Sequence, residues 1–167
     1  MMLKLFGVIL IIGAGGFAGL SASASLKKRI EFLEYYISFI NQVKELIRFS
    51  GAALEQIFEK VETGSIMRDI IKSTLLSLKC GKSFTHAWEQ AVSAQNKILN
   101  GADCTMLRDF GKGLGVTDIE GQLSHCSLSI EIAARRLENA RNDYNAKAKL
   151  YRALGILGGA TFALVII

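Results

Sequence analysis

Residues 119–151 read IEGQLSHCSLSIEIAARRLENARNDYNAKAKLY, and the fold class follows from this stretch. Apolar or small side chains recur in it at steps of three and four residues, which places them on one face of an α-helix. The series consists of Ile119, Leu123, Cys126, Ile130, Ala133, Leu137, Ala140, Tyr144 and Tyr151. We therefore predict one long helix with coiled-coil-like spacing over these residues.

A second series of the same kind lies nearer the N-terminus. It consists of Leu26, Ile30, Leu33, Ile37, Ile40 and Ile47. This spacing predicts another long helix, which we expect to run antiparallel to the first. Tyr35 and Tyr36 flank the series and are expected to be partly exposed.

The composition of the chain indicates an all-α fold. Its 167 residues leave room for one modest domain, and they include no proline, which would interrupt helices. Runs of alternating β-branched and aromatic residues, which are typical of strands, are also missing. The class predicted is an all-α bundle of six helices, two long and four short.

The four short helices are predicted between the two long ones. Their apolar residues lie within 54–61, 66–75, 84–99 and 107–114, with Trp88 and Ile98 on the inward face of the third. Helix starts are predicted from side chains that cap free backbone N–H groups. The predicted caps are Ser65, Ser83, Asp103 and a capping box formed by Thr117 and Glu120.

Both ends of the chain are apolar. Residues 5–24 carry no charge over 20 positions, and a helix of that length spans about 30 Å, enough to cross a bilayer. Residues 153–167 are also uncharged, and Arg152 can reach the lipid headgroups if this shorter segment spans the bilayer as well. We predict membrane helices at 1–25 and 151–167, with a helical domain at 26–150 between them.

A cleaved signal peptide is the alternative for the first segment, because Ala22–Ala24 fits a cleavage site. However, the apolar run is longer than the usual core of a signal peptide, and the basic segment Lys27–Arg29 follows it directly. Lys147, Lys149 and Arg152 lie in the corresponding place before the second segment. Because basic flanks tend to stay inside, we expect two retained spans in the cell membrane and a cytoplasmic central domain.

Each apolar segment contains a GxxxG motif, formed by Gly15 and Gly19 in the first and by Gly155 and Gly159 in the second. Small residues four apart let helices approach closely in lipid. The two spans would then pack on each other or on partner subunits. The alternative is that glycine is simply common in membrane helices, so a homo-oligomer is left open.

A phosphate-binding loop is not indicated. Gly81-Lys82-Ser83 resembles the end of such a loop, but Leu76 stands where the motif requires glycine. We interpret Gly81 as the end of a helix and Ser83 as the cap of the next one. No nucleophile has an obvious base either, so we expect no cofactor and no enzymatic activity.

Metal and nucleic-acid binding are not indicated either. Cys80, Cys104 and Cys126 form no CxxC pair, and we expect them to be reduced. His125 and Cys126 are adjacent, so on a helix they point about 100° apart and do not chelate one ion. The net charge is +5, but the lysines and arginines are interspersed with acidic residues, a pattern that does not favour a nucleic-acid partner.

The most distinctive segment is 110–122, FGKGLGVTDIEGQ. Its pattern Phe-x3-Leu-Gly-x-Ser/Thr-Asp-x3-Gln resembles the signature of the stage III sporulation protein AB family. The matching positions are Phe110, Leu114, Gly115, Thr117, Asp118 and Gln122. The F-x2-A-W motif ending at Trp88, the start of the chain and its Leu-Gly-rich end are similar to that family too, so the likeness covers essentially the whole chain.

This resemblance implies a six-helix cytoplasmic domain similar to those of type II secretion F proteins and type IV pilus platform proteins. It also implies a location in the mother cell of an endospore-forming bacterium, at the outer forespore membrane. There the protein would belong to the channel complex that joins mother cell and forespore. The implied partners are the lipid bilayer, other channel subunits and a cytoplasmic secretion-type ATPase.

The signature positions suggest a structural hinge. Gly115 would end one helix, Thr117 or Asp118 would cap the next, and Phe110 and Leu114 would pack inside. Direct contact with a partner is the alternative, and Gln122 is expected to be exposed one turn past the cap. The function predicted is a scaffold of a secretion-like channel; the alternative is a helical membrane sensor that relays signals along its long helices.

Overall fold

The computed structural model of the chain describes residues 2–50, 53–96 and 98–166, with side chains described over 21–147 except at 22, 50–52 and 97. These residues contain six α-helices and no strand, which confirms the predicted fold class. The helices are α1 (Met2–Ser50), α2 (Leu54–Lys60), α3 (Ser65–Lys79), α4 (Phe84–Ser93), α5 (Gly101–Gly113) and α6 (Ile119–Ile166).

The chain divides into two compact units, Met1–Glu31 with Glu138–Ile167, and Phe32–Leu137. Gly15, Gly19, Gly155 and Gly159, the packing glycines of the predicted membrane helices, lie outside the residues whose side chains are described. The two spans and their packing therefore stay predictions. In the described part of the chain, no helix combines the length and the apolar character needed to cross a bilayer.

The unit Phe32–Leu137 has a core that begins on α1. Apolar residues of this helix recur at three- and four-residue steps, and seven are buried: Phe32, Leu33, Tyr36, Phe39, Ile40, Val43 and Ile47. Tyr35 is 45% exposed, as predicted, but Tyr36 is fully buried and the expectation of its exposure is wrong. The reason is that Tyr36 lies on the same helix face as Phe32 and Phe39 and stacks on both rings.

Aromatic side chains from four helices meet around Phe39. Its ring centroid lies 5.6 Å from that of Phe58 on α2, 6.3 Å from that of Trp88 on α4 and 5.9 Å from that of Phe110 on α5. Trp88 is 1% exposed, so its predicted place in the core is confirmed. Because burying one such side chain contributes about 1.5–3 kcal/mol, this cluster stabilises the packing of the four helices against one another.

The start of α3 differs from the prediction. Gly64, not Ser65, occupies the N-cap position, because Ser65 is already helical. At the other end, Gly81 has φ +80 and follows the helix as predicted. Ser83 takes the predicted N-cap position of α4, but its side chain makes no capping hydrogen bond.

Three further expectations from the sequence are wrong. Asn100 caps α5 instead of Asp103: its side-chain oxygen accepts a hydrogen bond from the Asp103 N–H at 2.7 Å. Ile98 is 67% exposed because α4 ends at Ser93 and leaves it in the following turn. Ile119 is 53% exposed because it is the first residue of α6 and lies at the surface.

Candidate functional site

The segment 110–122 forms the corner between α5 and α6, and its construction begins on α5. The indole N–H of Trp88 donates a hydrogen bond of 2.7 Å to the carbonyl oxygen of Leu107. One turn later, Gly111 lies so close to the same indole that any Cβ there would overlap the ring. The glycine thus lets Trp88 pack directly on the backbone of α5.

Phe110 joins this helix to α6 through His125. The two rings are stacked, with centroids 5.7 Å apart and an interplanar angle of 13°. The His125 Nε2 atom lies 2.9 Å from the carbonyl oxygen of Phe110, which can only accept, so Nε2 is the hydrogen-bond donor. Gly113 faces the same imidazole, and a Cβ at this position would overlap it.

The chain turns between the two helices at Leu114–Asp118. Leu114 is 4% exposed, so its side chain holds the end of α5 in the core. Gly115 has φ +76, a left-handed conformation that favours glycine, and a Cβ there would lie 3.0 Å from the Leu54 side chain. The turn therefore needs glycine for its backbone, and space is also limited there.

The start of α6 is capped by Asp118 rather than by Thr117. Because α6 begins at Ile119, Asp118 is at the N-cap position, and its Oδ1 atom accepts a hydrogen bond of 3.0 Å from the Gly121 N–H. The predicted capping box of Thr117 and Glu120 is therefore wrong, displaced by one residue. The other alternative named for this turn, Asp118 as the cap, is confirmed.

Gln122 fastens the turn from the first turn of α6. Its Nε2 atom donates to the Thr117 carbonyl at 3.0 Å, and its Oε1 atom accepts from the Gly115 N–H at 3.4 Å. One amide group thus bridges both ends of the connecting segment. All six signature residues lie at this corner, and Phe110 and Leu114 among them are buried. The sequence pattern does not reveal that Gln122 bridges the turn.

An ion pair connects α5 to α6 elsewhere. Asp103 is 1% exposed, and its Oδ1 atom lies 3.5 Å from the Arg136 guanidinium, which is 30% exposed. A carboxylate this deeply buried requires such partners, because removal from water disfavours its charged form. No sequence pattern indicates this pair, since the position of Asp103 near a helix start predicts a cap.

Two buried thiols and one buried phenol of the core are held in their protonated forms. Burial raises the pKa of the Cys126 thiol to about 11, and it also raises the pKa of Cys104 and that of Tyr36. Thiols of this kind are poor nucleophiles because the thiolate is the reactive form. Within the described residues, no cluster of three or more His, Cys, Asp or Glu side chains could hold a metal ion.

The site is thus a helix–turn–helix corner locked by stacked rings, close-packed glycines and one amide bridge. Its side chains pack and form hydrogen bonds that fix the positions of the helices. The protein is therefore a helical bundle in which segment 110–122 has a structural role.

The model of the stage III sporulation protein AB family matches residues 4–167, and the chain belongs to that family. The resemblance carried by segment 110–122 is thereby confirmed, and the chain is a sporulation protein.

A solved structure described as stage III sporulation protein AB is similar in fold. The TM-score is 0.60 at 18% sequence identity, and the likeness covers 70% of this chain and 96% of that chain. At this identity the comparison supports the helical fold alone. No curated protein matches the chain in sequence.

Proposed function

We propose that this protein is a non-enzymatic scaffold of the channel that joins mother cell and forespore. Membrane helices at 1–25 and 151–167 would anchor it in the outer forespore membrane, and its domain would face the mother-cell cytoplasm and dock a secretion-type ATPase. The observation that carries the proposal is the family match over 4–167, which includes both apolar ends.

A scaffold role is supported by the use of polar groups within the domain. Trp88, His125 and Gln122 each bind backbone carbonyls or amides, and so they stabilise helix positions. The thiols of Cys104 and Cys126 are buried and protonated. These groups are committed to the fold, as expected for a protein that acts through its surface.

Anchoring at both ends is supported by the sequence flanks. The basic segment Lys27–Arg29 follows the first apolar run, and Lys147, Lys149 and Arg152 precede the second. Positive residues on the loop side of both spans favour a cytoplasmic domain.

The proposal is tested by co-purification from sporulating cells. Two tagged proteins are compared in mild detergent: the full chain, and a control in which residues 26–150 are replaced by a Gly/Ser linker between the two apolar segments. We expect the full chain to recover channel subunits and the ATPase, and the control to lose the ATPase. Recovery of further copies of the full chain with no channel component would contradict the proposal and favour a sensor.

A further inference from the structure

A groove opens on the unit Phe32–Leu137 between α1, α2 and α3, and we name it the α1–α3 groove. Its volume is about 820 Å³. Val61 and Leu75 provide apolar lining, the buried Phe58 and Ile71 lie at its base, and Tyr35 contributes an aromatic ring that is 45% exposed. A concave surface of this size, with apolar and polar residues side by side, fits one face of an amphipathic helix.

The groove is held open by specific contacts. The Gln42 side chain forms two hydrogen bonds with the backbone of Glu62, donating to its carbonyl at 2.8 Å and accepting from its N–H at 3.0 Å. The Tyr35 ring lies against Gly64, where any Cβ would collide with it, and Arg68 donates to the Thr63 carbonyl at 3.2 Å. The groove is therefore preformed, so an occupant does not have to order it.

Charges of both signs line this groove. Glu59 and Glu62 come from α2 and the segment after it, whereas Arg68 and Lys72 come from α3. Within the described part of the chain, none of these four side chains forms an ion pair. The groove thus offers separate acidic and basic positions beside an apolar surface.

A convex surface on α6 combines exposed apolar and charged side chains, as the groove does. Leu128 is 56% exposed and Ile132 is 41% exposed, four residues apart on one face of the helix. Glu131 and Arg135 flank them, paired with each other at 2.6 Å and with side chains 59% and 76% exposed. We name these four residues the α6 ridge.

We propose that the α6 ridge of one copy of this chain docks in the α1–α3 groove of the next copy. Leu128 and Ile132 cover the apolar lining of the groove. Arg135 faces the acidic positions and Glu131 faces the basic ones. The internal Glu131–Arg135 pair does not oppose this exchange, because an ion pair so exposed contributes little to stability.

The contact is heterologous, since each copy offers one ridge and one groove. Repetition of such a contact builds a ring where the rotation closes, and a filament where it does not. The inference goes beyond the proposed function and does not depend on it, because both surfaces lie within Phe32–Leu137. One helix face in one groove is small for a protein interface, so we expect a dissociation constant on the order of 10 µM.

The test uses sedimentation velocity of the full chain in mild detergent over a concentration series. The ridge variant carries Leu128→Gln and Ile132→Gln, and the groove variant carries Arg68→Glu and Lys72→Glu. We expect each variant alone to associate at least tenfold more weakly than the unchanged chain. Leu76→Gln is the matched control: Leu76 is 65% exposed on α3 but lies outside both surfaces, and its loss should leave association unchanged.

The decisive sample is an equal mixture of the two variants. The ridge variant keeps an intact groove and the groove variant keeps an intact ridge, so the mixture should form dimers that stop at two copies. Lys72→Glu alone replaces the double variant if that variant folds poorly, because it leaves the Arg68 hydrogen bond in place. This single variant should still weaken association. Helical circular dichroism and Trp88 emission verify the fold of each variant.

Three results would overturn the inference. The unchanged chain could stay monomeric at every concentration. The groove variant could associate normally, which would indicate a symmetric contact between α6 helices. All variants could associate like the unchanged chain, which would assign association to the apolar ends. Each of these outcomes leaves the co-purification test of the proposed function unaffected.

Discussion

Gly111 shows how one missing side chain sets the distance between two helices. Trp88 lies directly on the α5 backbone, with its indole N–H bound to the carbonyl of Leu107 one turn before the glycine. The sequence shows glycines at 111, 113 and 115. It does not show that Gly111 accommodates Trp88 and Gly113 accommodates His125, because these contacts join positions that are distant in sequence.

Gly111→Ala is therefore expected to destabilise the protein. Alanine would gain up to about 1 kcal/mol of helix propensity, but overpacking of a buried ring costs about 1–3 kcal/mol and displaces the indole hydrogen bond as well. We expect a net loss of about 1–3 kcal/mol in the free energy of unfolding, measured by urea titration with Trp88 fluorescence.

Gly101→Ala is the matched control on the same helix. Gly101 begins α5, and a Cβ there meets no atom within 4 Å. This substitution should be neutral or slightly stabilising. Equal losses at Gly101 and Gly111 would contradict the packing explanation and attribute both to the helix backbone.

At the scale of helices, the sequence predicts where a helix ends more reliably than which residue caps its start. Gly115 was recognised as a helix end because a left-handed residue after a helix is usually glycine, and its φ of +76 agrees. The predicted cap of α5 is wrong, since Asn100 binds the free N–H group instead of Asp103. For α6 the Thr117–Glu120 capping box is wrong, whereas the alternative cap, Asp118, is correct. Several polar residues near each start could cap, and sequence alone does not choose among them.

The α5–α6 turn should depend on its amide bridge. Gln122→Ala removes one hydrogen bond at 3.0 Å and a longer one at 3.4 Å, both exposed. Since a typical hydrogen bond contributes about 0.5–1.5 kcal/mol, we expect a loss of about 1 kcal/mol in the free energy of unfolding. Gln56→Ala on the exposed side of α2 is the control and should change stability by less than about 0.5 kcal/mol.

A faster amide hydrogen exchange at Gly115 and Val116 in Gln122→Ala would locate the effect at the turn. If Gln122→Ala and Gln56→Ala unfold at the same urea concentration, the bridge has no part in stability. The signature glutamine would then have to act through a partner instead.

Two neighbouring arginines of α6 allow a buried ion pair to be compared with an exposed one. Arg136 contacts the buried carboxylate of Asp103, whereas Arg135 pairs with the exposed Glu131. We expect Arg136→Ala to cost about 2 kcal/mol or more, because it removes a charged partner from a carboxylate that is out of water. Arg135→Ala should cost at most about 0.5 kcal/mol.

Thermal or urea unfolding of both variants measures this difference. Salt provides a second measurement: 0.5 M NaCl should reduce the small effect of Arg135→Ala more than the large effect of Arg136→Ala. Comparable losses in the two variants would contradict a role for Arg136 in fixing α6 to α5.

At the scale of the whole molecule, periodicity was enough for the class and the number of helices. The three- and four-residue steps on both long helices depend on local geometry that every amphipathic helix shares. The α1–α3 groove could not be predicted in this way, since it requires Gln42, Tyr35 and Arg68 to hold a connecting segment in place. The burial of Tyr36 could not be predicted either, since the Phe110 ring that packs against it comes from another helix.

The distribution of core contacts predicts that the central domain folds without the apolar ends. Every aromatic ring contact found in the described residues joins positions between Phe32 and His125, and the corner of segment 110–122 lies within the same unit. A fragment of residues 26–150 should therefore unfold cooperatively in urea, with a free energy of about 5–15 kcal/mol.

Trp88 emission follows this transition from inside the aromatic cluster. The control fragment carries Phe110→Ala, which removes a ring that contacts Tyr36, Phe39, Trp88 and His125 and should cost about 3–5 kcal/mol. Its transition should move to lower urea with the same slope, since the slope reflects the surface exposed on unfolding. A gradual transition in the unchanged fragment would mean that the apolar ends are needed to complete the core, because the contacts within Phe32–Leu137 would then be insufficient to offset the chain entropy lost on folding.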